Sequence, residues 1–327
     1  MWLTSLRRMI TGKSRSPQFR RAQPQRPRFI PRLDYLEERI VPSTIDVAAG
    51  DTAGLISAIN QANTDSANGI ADTIQLTDST YTINGTNGAL PVITATNLTI
   101  DGQGATLNGS FSGRLFYLGS GAGVTLESLT LTDGQVSGTN AQGGAIYDAG
   151  NNLTMQSVTV KTNIAFATGV TANGAGNNAQ GGGLYVSGGT VDLTNCTLTD
   201  NSVVAATGIA GGAGGNAQGG GIYATNGAIL VMSGGSVIND GLSAGNGGTG
   251  TTNNPIGGAG GNAQGGGIYA QGGSVTLTQQ ASVTDNSIFG GNAGAGSAGA
   301  AGGAGGNIDG GGVYASNTTT VVVAGGA

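Results

Sequence analysis

The octapeptide NAQGGGIY stands at Asn216–Tyr223 and again at Asn262–Tyr269. Two further copies differ from it at one position each: NAQGGAIY at Asn140–Tyr147 and NAQGGGLY at Asn178–Tyr185. NIDGGGVY at Asn307–Tyr314 is a more divergent copy. Five copies of one stretch indicate a repeat architecture in which each repeat forms one structural unit.

Apolar residues accompany the octapeptides at i, i+2, i+5 and i+7, as in Val124, Leu126, Leu129 and Leu131; Leu153, Met155, Val158 and Val160; Val191, Leu193, Cys196 and Leu198. In the next two copies we expect one extra residue at the corner, which gives the inward positions Leu230, Met232, Ser236 and Ile238, then Val275, Leu277, Ala281 and Val283. Each i, i+2 pair predicts a short strand, and the break of phase predicts a tight corner. Short strands joined by a fixed corner, repeated along the chain, predict the coils of a β-solenoid.

The octapeptide itself predicts a strand with Ile or Leu pointing inward and Tyr pointing outward. Phe116 and Tyr117 align with these two positions in an earlier coil. Stacked coils would therefore place six tyrosines in one outward column: Tyr117, Tyr147, Tyr185, Tyr223, Tyr269 and Tyr314. We interpret this column as a cohesive stack, with a platform for sugar rings or a partner as the functional alternative. The first residues of the copies predict a structural amide ladder between coils: Asn140, Asn178, Asn216, Asn262 and Asn307.

Glycine accounts for 65 of the 327 residues, and much of it precedes the octapeptides. The spacing between successive tyrosines of the column grows from 30 residues to 46, although a coil needs a constant path. Stretches such as Gly208–Gly215 and Gly290–Gly306 supply the difference, as insertions on one side of the solenoid. We interpret them as flexible solvated loops, and laterally packed loops are the alternative.

We expect residues 44–133 to form an entry module with the first coils. Residues 134–327 follow as the repeated coils. Asp51 or Thr52 can cap a helix, because Leu55, Ile56, Ile59 and Ala62 follow at helical spacing. Alternating Thr, Val, Ile and Leu predict strands at Thr73–Leu76, Thr80–Ile83, Asn97–Ile100 and Val124–Leu131. Residues 318–327 end in a strand and Gly-Gly-Ala, so we expect further coils beyond the end.

Residues 1–43 form a separate region with ten of the 12 basic residues and five of the seven prolines. This composition predicts a disordered leader. Its ten basic and three acidic residues give a net charge of +7, whereas the remainder, with two basic and fourteen acidic residues, has a net charge of −12. An acidic body repels nucleic acid and anionic lipid, so neither partner is expected. No apolar run approaches the roughly 20 residues of a membrane helix.

Three stretches resemble known families. PRLDYLEERIVPS at Pro31–Ser43 resembles the N-terminal segment of planctomycete surface proteins, which implies export. LISAINQAN at Leu55–Asn63 and LTIDGQGA at Leu98–Ala105 are similar to the entry part of pectin lyase-like β-helix proteins. The GG[AG]I repeats are similar to those of polymorphic outer membrane proteins, although Thr199 replaces the usual Phe of the turn. The resemblance implies an all-β, right-handed parallel β-helix with an N-terminal capping helix.

Candidate chemistry is sparse. Enzymes of the resembled fold cleave polysaccharides, and a lyase needs an Arg or Lys base, for which Arg114 with Asp101 and Glu127 is the candidate set. The chain has no His. GGAGGNAQG at Gly211–Gly219 resembles a calcium nonapeptide, but Asn216 replaces the carboxylate that calcium prefers. Cys196 occupies an inward position and is expected to act as a small apolar residue.

We therefore predict a secreted or cell-envelope protein, exposed at the outer membrane surface, of the structural or adhesion type. No catalytic residue, metal or cofactor is expected, and glycans or surface proteins are the expected partners. The oligomeric state is left open. The alternative is a polysaccharide lyase or glycoside hydrolase on the same fold.

Overall fold

The computed structural model of the chain describes residues 42–84 and 88–325. The predicted leader, up to residue 41, lies outside the described residues. The entry module contains, in chain order, β1 (Ser43–Val47), α1 (Thr52–Ser66), β2 (Asp72–Leu76), β3 (Thr80–Thr82), β4 (Leu98–Asp101) and β5 (Thr106–Asn108).

The following strands form the coils that carry the tyrosine column. The first two of these coils comprise β6 (Phe116–Leu118), β7 (Gly123–Glu127), β8 (Thr130–Thr132) and β9 (Gln135–Gly138); then β10 (Ala141–Gln142), β11 (Ile146–Asp148), β12 (Asn152–Gln156), β13 (Thr159–Lys161) and β14 (Ile164–Ala167). The third and fourth comprise β15 (Ala179–Gln180), β16 (Leu184–Ser187), β17 (Thr190–Thr199) and β18 (Ser202–Val204); then β19 (Ala217–Gln218), β20 (Ile222–Thr225), β21 (Ile229–Ile238) and β22 (Gly241–Ser243). The last comprise β23 (Ala263–Gln264), β24 (Ile268–Gln271), β25 (Ser274–Thr278), β26 (Ser282–Thr284) and β27 (Ser287–Phe289); then β28 (Ile308–Asp309), β29 (Val313–Ser316) and β30 (Thr320–Val323).

The strands pair in parallel, each with its equivalent one coil later, and build four sheets. The octapeptide tails form one sheet, the Ala-Gln pairs a second, and the strands that precede the glycine-rich stretches a third. The fourth has 14 strands and bends at the corner, so that β17 and β21 run through both of its faces. This arrangement is an all-β parallel solenoid, as the repeat pattern predicts.

Inward side chains of successive coils lie in register and make one apolar core. Leu126 pairs with Met155, Met155 with Leu193, and Leu193 with Met232, and each of these four side chains is fully buried. Burying a side chain of this size contributes about 1.5–3 kcal/mol. The core is therefore a column of repeated contacts that runs along the solenoid.

The corner that breaks the strand phase is a left-handed residue. Ser128, Ser157 and Asn195 have φ between 50° and 54° at this point of three successive coils, a conformation that few residues adopt outside tight turns. One residue out of phase turns the chain and lets the next strand again point alternate side chains inward. This explains the i, i+2, i+5, i+7 spacing.

The predicted extra corner residue is wrong for the coil that contains Leu230. Gly235 pairs there with Cys196 and Val237 with Leu198, so the spacing is the ordinary one and Val237, not Ser236 or Ile238, is buried. A glycine in an inward position concealed the register, because the pattern was read from apolar residues alone. The extra residue is present in the following coil, where Ala281 and Val283 lie at the predicted inward positions.

Helix α1 begins and packs as predicted. The Asp51 carboxylate accepts a hydrogen bond from the Gly54 N–H at 2.8 Å, which satisfies one of the free donors of the first turn. Leu55, Ile59 and Ala62 are buried and join the apolar core. The helix contacts β1 and β2.

The glycine-rich stretches form a hydrogen-bonded lattice, so their interpretation as flexible loops is wrong. We call residues 206–215, 245–261 and 291–306 the glycine lattice. One relay of backbone hydrogen bonds crosses all three stretches, with N–H to O distances of 2.8–3.0 Å: Gly306 to Gly291, Gly291 to Gly261, Gly261 to Gly245, Gly245 to Gly215, and Gly215 to Ala206.

A second relay runs three residues away from the first, through Gly303, Gly294, Gly258, Gly248, Gly212 and Ile209. Donors at every third residue match the three-residue turn of the polyproline II helix. An isolated helix of this type leaves its peptide groups to water, whereas here they bond to each other, both within a stretch and between neighbouring stretches.

Side chains are excluded from the contact points of the lattice. A Cβ at Gly261 would lie 1.9 Å from the carbonyl oxygen of Gly215, and a Cβ at Gly215 would lie 2.0 Å from that of Asn177. Only glycine allows backbones to approach this closely. Regular glycine therefore serves packing here, which composition alone does not reveal.

We predict that Gly261→Ala lowers the free energy of unfolding by about 1–3 kcal/mol, the usual cost of overpacking. Gly305→Ala is the matched control, because its Cβ would meet its nearest neighbour, the Gly291 carbonyl oxygen, at 4.0 Å. Urea denaturation of both variants measures the difference, and equal midpoints for the two would contradict the packed lattice.

Candidate functional site

The six tyrosines predicted to share a column do so. Their strands pair in register, and successive rings are stacked with centroids 4.7–5.2 Å apart and interplanar angles of 6–22°. The spacing equals the distance between neighbouring strands of a sheet, about 4.8 Å. Strand pairing therefore sets the stacking distance.

The inward and outward predictions for the octapeptide strand also hold. Ile146, Leu184 and Ile222 belong to the main core cluster, whereas the tyrosines form a separate cluster on the other side of the strand. Tyr117 at one end is 39% exposed, but Tyr185, Tyr223 and Tyr269 in the middle are only 5–7% exposed. Their ring faces contact each other, which is the cohesive stack.

This burial bears on the proposed sugar platform. A sugar stacks on the face of an aromatic ring, and in the middle of the column each face is covered by the next tyrosine. In the middle of the column, a sugar could contact only the ring edges. At Tyr117, part of the ring surface is open. Binding by the tyrosines stays a prediction, and Tyr117 is the member with the most accessible surface.

Arg114 lies beside the first two rings of the column. Its guanidinium lies 5.6 Å from the ring centroid of Tyr117 and 5.2 Å from that of Tyr147, within the range of cation–π attraction. Nε donates to the Gly143 carbonyl at 2.9 Å and Nη2 to the Gln142 carbonyl at 2.6 Å. Burial lowers the pKa of Arg114, and the two tyrosines oppose this effect.

Glutamines form a side-chain ladder in the sheet of Ala-Gln strands. Gln142 Nε2 donates to Gln180 Oε1 at 2.9 Å, Gln180 to Gln218 at 3.0 Å, and Gln218 to Gln264 at 3.0 Å. Asp309 ends the row as an acceptor from Gln264 at 3.3 Å. The sequence analysis did not single out this row, although the signal was present because the Gln is identical in four octapeptides.

Burial also perturbs the phenols. It raises the pKa of Tyr147, Tyr185 and Tyr223, and neighbouring tyrosines raise each of them further. A hydrogen bond with Gln142 lowers the pKa of Tyr185 in part. These three phenols are therefore neutral in any physiological medium, and they contribute apolar contact and hydrogen-bonding hydroxyls.

The asparagine ladder is present from Asn178 to Asn307, with a different geometry from the one expected. Asn178 Oδ1 accepts from the Asn216 N–H at 2.7 Å, Asn216 Oδ1 from the Asn262 N–H at 2.8 Å, and Asn262 Oδ1 from the Asn307 N–H at 2.9 Å. The side chains thus bond the backbone of the next coil. Asn216, which stands at the carboxylate position of the calcium-like nonapeptide, takes part in this ladder. Within residues 42–84 and 88–325, no three acidic or Cys side chains cluster in a way that could hold a metal ion.

The candidate catalytic residues are partly brought together. Asp101 and Glu127 lie opposite each other on β4 and β7, and Asp101 also accepts from the Gln103 N–H in its predicted turn. Arg114 instead points to the tyrosine column and bonds backbone carbonyls there. Cys196 is fully buried, as predicted, and burial raises the pKa of its thiol.

Hydroxyl side chains form an outward row that the sequence analysis did not identify. It runs along one face of the 14-stranded sheet, one residue per coil, through Thr80, Thr106, Thr130, Thr159, Thr197, Ser236 and Ser282. All seven are partly or fully exposed. The intervening side chains are the buried core residues, so this row is fixed by the strand register.

Comparison of the chain with protein-family models, with curated proteins and with solved structures gave no match. In the described part of the chain, no helix has the length and apolar character needed to cross a membrane.

We predict that Tyr223→Ala destabilises the protein by about 3–5 kcal/mol, as for other large aromatic side chains removed from a core. The substitution removes the ring between Tyr185 and Tyr269, at 5.1 and 4.8 Å. Tyr223→Phe keeps the stack and should cost about 1 kcal/mol for the lost hydroxyl hydrogen bond. Thermal and urea unfolding compare the two, and a Phe variant as unstable as the Ala variant would show that stacking is not the main contribution.

Proposed function

We propose that the chain is a secreted or cell-surface structural protein of the adhesion type, acting without catalysis. Its fold would be a right-handed parallel β-helix of the pectin lyase-like kind, with repeats like those of polymorphic outer membrane proteins. The leader resembling planctomycete surface proteins supports export, although it lies outside the described residues. Helix α1 supports the capping role, because it adds Leu55 and Ile59 to the apolar core beside β1 and β2.

The observation that carries this proposal is the use of repeated residues for contacts between coils. Tyrosines stack on tyrosines, glutamines bond glutamines, and lattice glycines bond the next stretch. Repetition of this kind gives each coil the same partners above and below, as in other solenoids. We therefore expect each outer face of the coil stack to repeat from one coil to the next.

The outward hydroxyl row supports an adhesive role. Each hydroxyl can donate and accept hydrogen bonds, and the row repeats at the strand spacing of about 4.8 Å. A polysaccharide presents a dense surface of hydroxyls with matching donors and acceptors. We therefore propose a polysaccharide surface as the partner and the row from Thr80 to Ser282 as the contacting face.

The alternative remains a polysaccharide lyase or glycoside hydrolase. The neighbouring carboxylates of Asp101 and Glu127 favour it. The engagement of Arg114 speaks against it, because a general base must reach the proton that it abstracts. A groove of about 540 Å³, between β14, β18 and the lattice, is lined by apolar and hydroxyl side chains such as Phe166, Val170 and Ile209 and offers no ionisable group.

Retention on insoluble polysaccharides and on envelope-bearing cells tests the adhesive role. We expect the triple variant Thr130→Val, Thr159→Val, Thr197→Val to lose most of the retention while it stays folded, because valine keeps the shape and removes the hydroxyl. The matched control is Thr73→Val, Thr99→Val, Thr125→Val, which changes an equivalent outward row on the other face. Equal loss in both variants, or in neither, would contradict the assignment of this face.

Turnover separates the enzymatic alternative. The full chain, incubated with uronate polymers and a broad glycan panel, should yield neither unsaturated product by absorbance nor new reducing ends. Turnover that Arg114→Ala abolishes, in a variant with an unchanged unfolding transition, would overturn the non-catalytic proposal.

A further inference from the structure

A second, buried ladder runs along the corner that precedes the third sheet, and one of its members is an acid. The equivalent residues of four coils are Asn163, Asn201, Asp240 and Asn286, as the pairing of their successors shows. Asp240 has no exposed surface. The corner reads Asp-Asn in two coils, at 200–201 and 285–286, but Asn-Asp at 239–240.

Each asparagine of this ladder both accepts and donates. Asn201 Oδ1 accepts from the backbone N–H and the side-chain amide of Asn163, at 3.1 and 3.0 Å. Asn201 Nδ2 donates to the Val160 carbonyl of the preceding coil at 3.0 Å and to Asp240 Oδ1 at 2.9 Å. Two hydrogens are thus needed on the donor atom at each position.

Asp240 reproduces the accepting half of this pattern. Its Oδ1 accepts from the Asn201 N–H at 2.7 Å and from Asn201 Nδ2 at 2.9 Å, and its own N–H donates to Asn286 Oδ1 at 2.9 Å. Its other oxygen, Oδ2, occupies the position of the asparagine Nδ2 and is buried without a hydrogen-bond partner.

Comparison with the equivalent positions of the other coils places hydrogen-bond acceptors beside Asp240 Oδ2. Where Asn201 and Asn286 donate to the carbonyls of Val160 and Val237, the equivalent carbonyl for Asp240 is that of Leu198. The side-chain amide of Asn163 also donates to Oδ1 of Asn201 in the next coil. The equivalent acceptor for Asp240 is Oδ1 of Asn286. An ionised oxygen would face these acceptors without a donor, at the cost of an unpaired buried charge.

We infer that Asp240 carries its proton in the folded protein below neutral pH and acts there as a neutral substitute for asparagine, so that the coil stack weakens as the pH rises from acidic to neutral. The protonated carboxyl has one O–H, which donates where Nδ2–H donates in the other coils. Deprotonation removes that donor and leaves a negative charge in the ladder. The molecule thereby contains a pH-sensitive corner at its fourth tyrosine-bearing coil.

The electrostatics agree with this geometry. Burial raises the pKa of Asp240 to about 7, the two hydrogen bonds from Asn201 oppose that shift, and the charge of Asp200 adds to it. Asn201, Asn286, Val237 and Gly221 also pack at the site and are uncharged, and Asp200 is the acidic residue that acts on Asp240. A carboxyl with a raised folded-state pKa stabilises most below its unfolded pKa, near 4, and loses that contribution as the pH rises to about 7.

Unfolding of the full chain between pH 4 and 9 tests the inference, with Asp240→Asn as the informative variant. One linked proton changes the unfolding equilibrium constant about tenfold per pH unit within the window. We expect the advantage of Asp240→Asn over the wild type to grow from about pH 4 to about pH 7 and then to level off. Parallel pH curves for the two proteins would overturn the proposal.

Two further measurements keep the test sharp. Asp148 is a second fully buried acid with an unpaired Oδ2 and a raised pKa. The unfolding of Asp240→Asn should therefore retain some pH dependence. Asp148→Asn should retain the pH dependence that comes from Asp240. Difference infrared spectroscopy at pH 6 should show a protonated-carboxyl band that decreases in Asp240→Asn. An unchanged band would overturn the inference independently of stability.

Discussion

The pairing of each residue with its equivalent one coil later is the constraint on which this structure depends. Parallel strands hold Leu193 over Met155, Tyr185 over Tyr147 and Gln180 over Gln142 in the same register. Once one pair is fixed, every other row is fixed, because the side chains alternate along each strand. Like residues then stack on like, and the stacks suit apolar, aromatic and amide side chains. A carboxylate suits them poorly, so we expect a buried acid such as Asp240 to make the stack sensitive to pH.

The glycine lattice extends the same rule to coils of unequal length. The tyrosine spacing rises from 38 to 46 residues between coils without any slip in the four sheets. The additional residues enter the lattice, where backbone donors at every third position bond the next stretch. A Cβ at Gly261 or Gly215 would lie only 1.9–2.0 Å from a carbonyl oxygen, so only glycine fits at these positions. The molecule thus combines apolar clusters of side chains with a lattice that is held together by backbone contacts.

Much of the fold could be predicted because its signals are periodic. The octapeptide, the corner spacing and the helix cap at Asp51 are local patterns, and the structure confirms the strands, the tyrosine column and the inward Cys196. The register at Gly235 was missed because a glycine carries no apolar signal. Lattice packing was given only as the alternative to flexible loops, because many of its hydrogen bonds join distant parts of the chain, such as Gly245 to Gly215 and Gly294 to Gly258, 30 and 36 positions apart. For the candidate site, sequence could place the tyrosines in a column, but their burial depends on how neighbouring coils close around them.

Native-state hydrogen exchange of the glycine lattice tests most directly whether coil-to-coil pairing extends beyond the strands. We predict that the amides of Gly245, Gly248 and Gly294, which bond neighbouring stretches at 2.8–2.9 Å, exchange as slowly as those of the core strands β17 and β21. That result would show that the lattice opens only when the solenoid itself unfolds. Exchange of these amides at the rate of an unstructured peptide, with the strands still protected, would contradict the account.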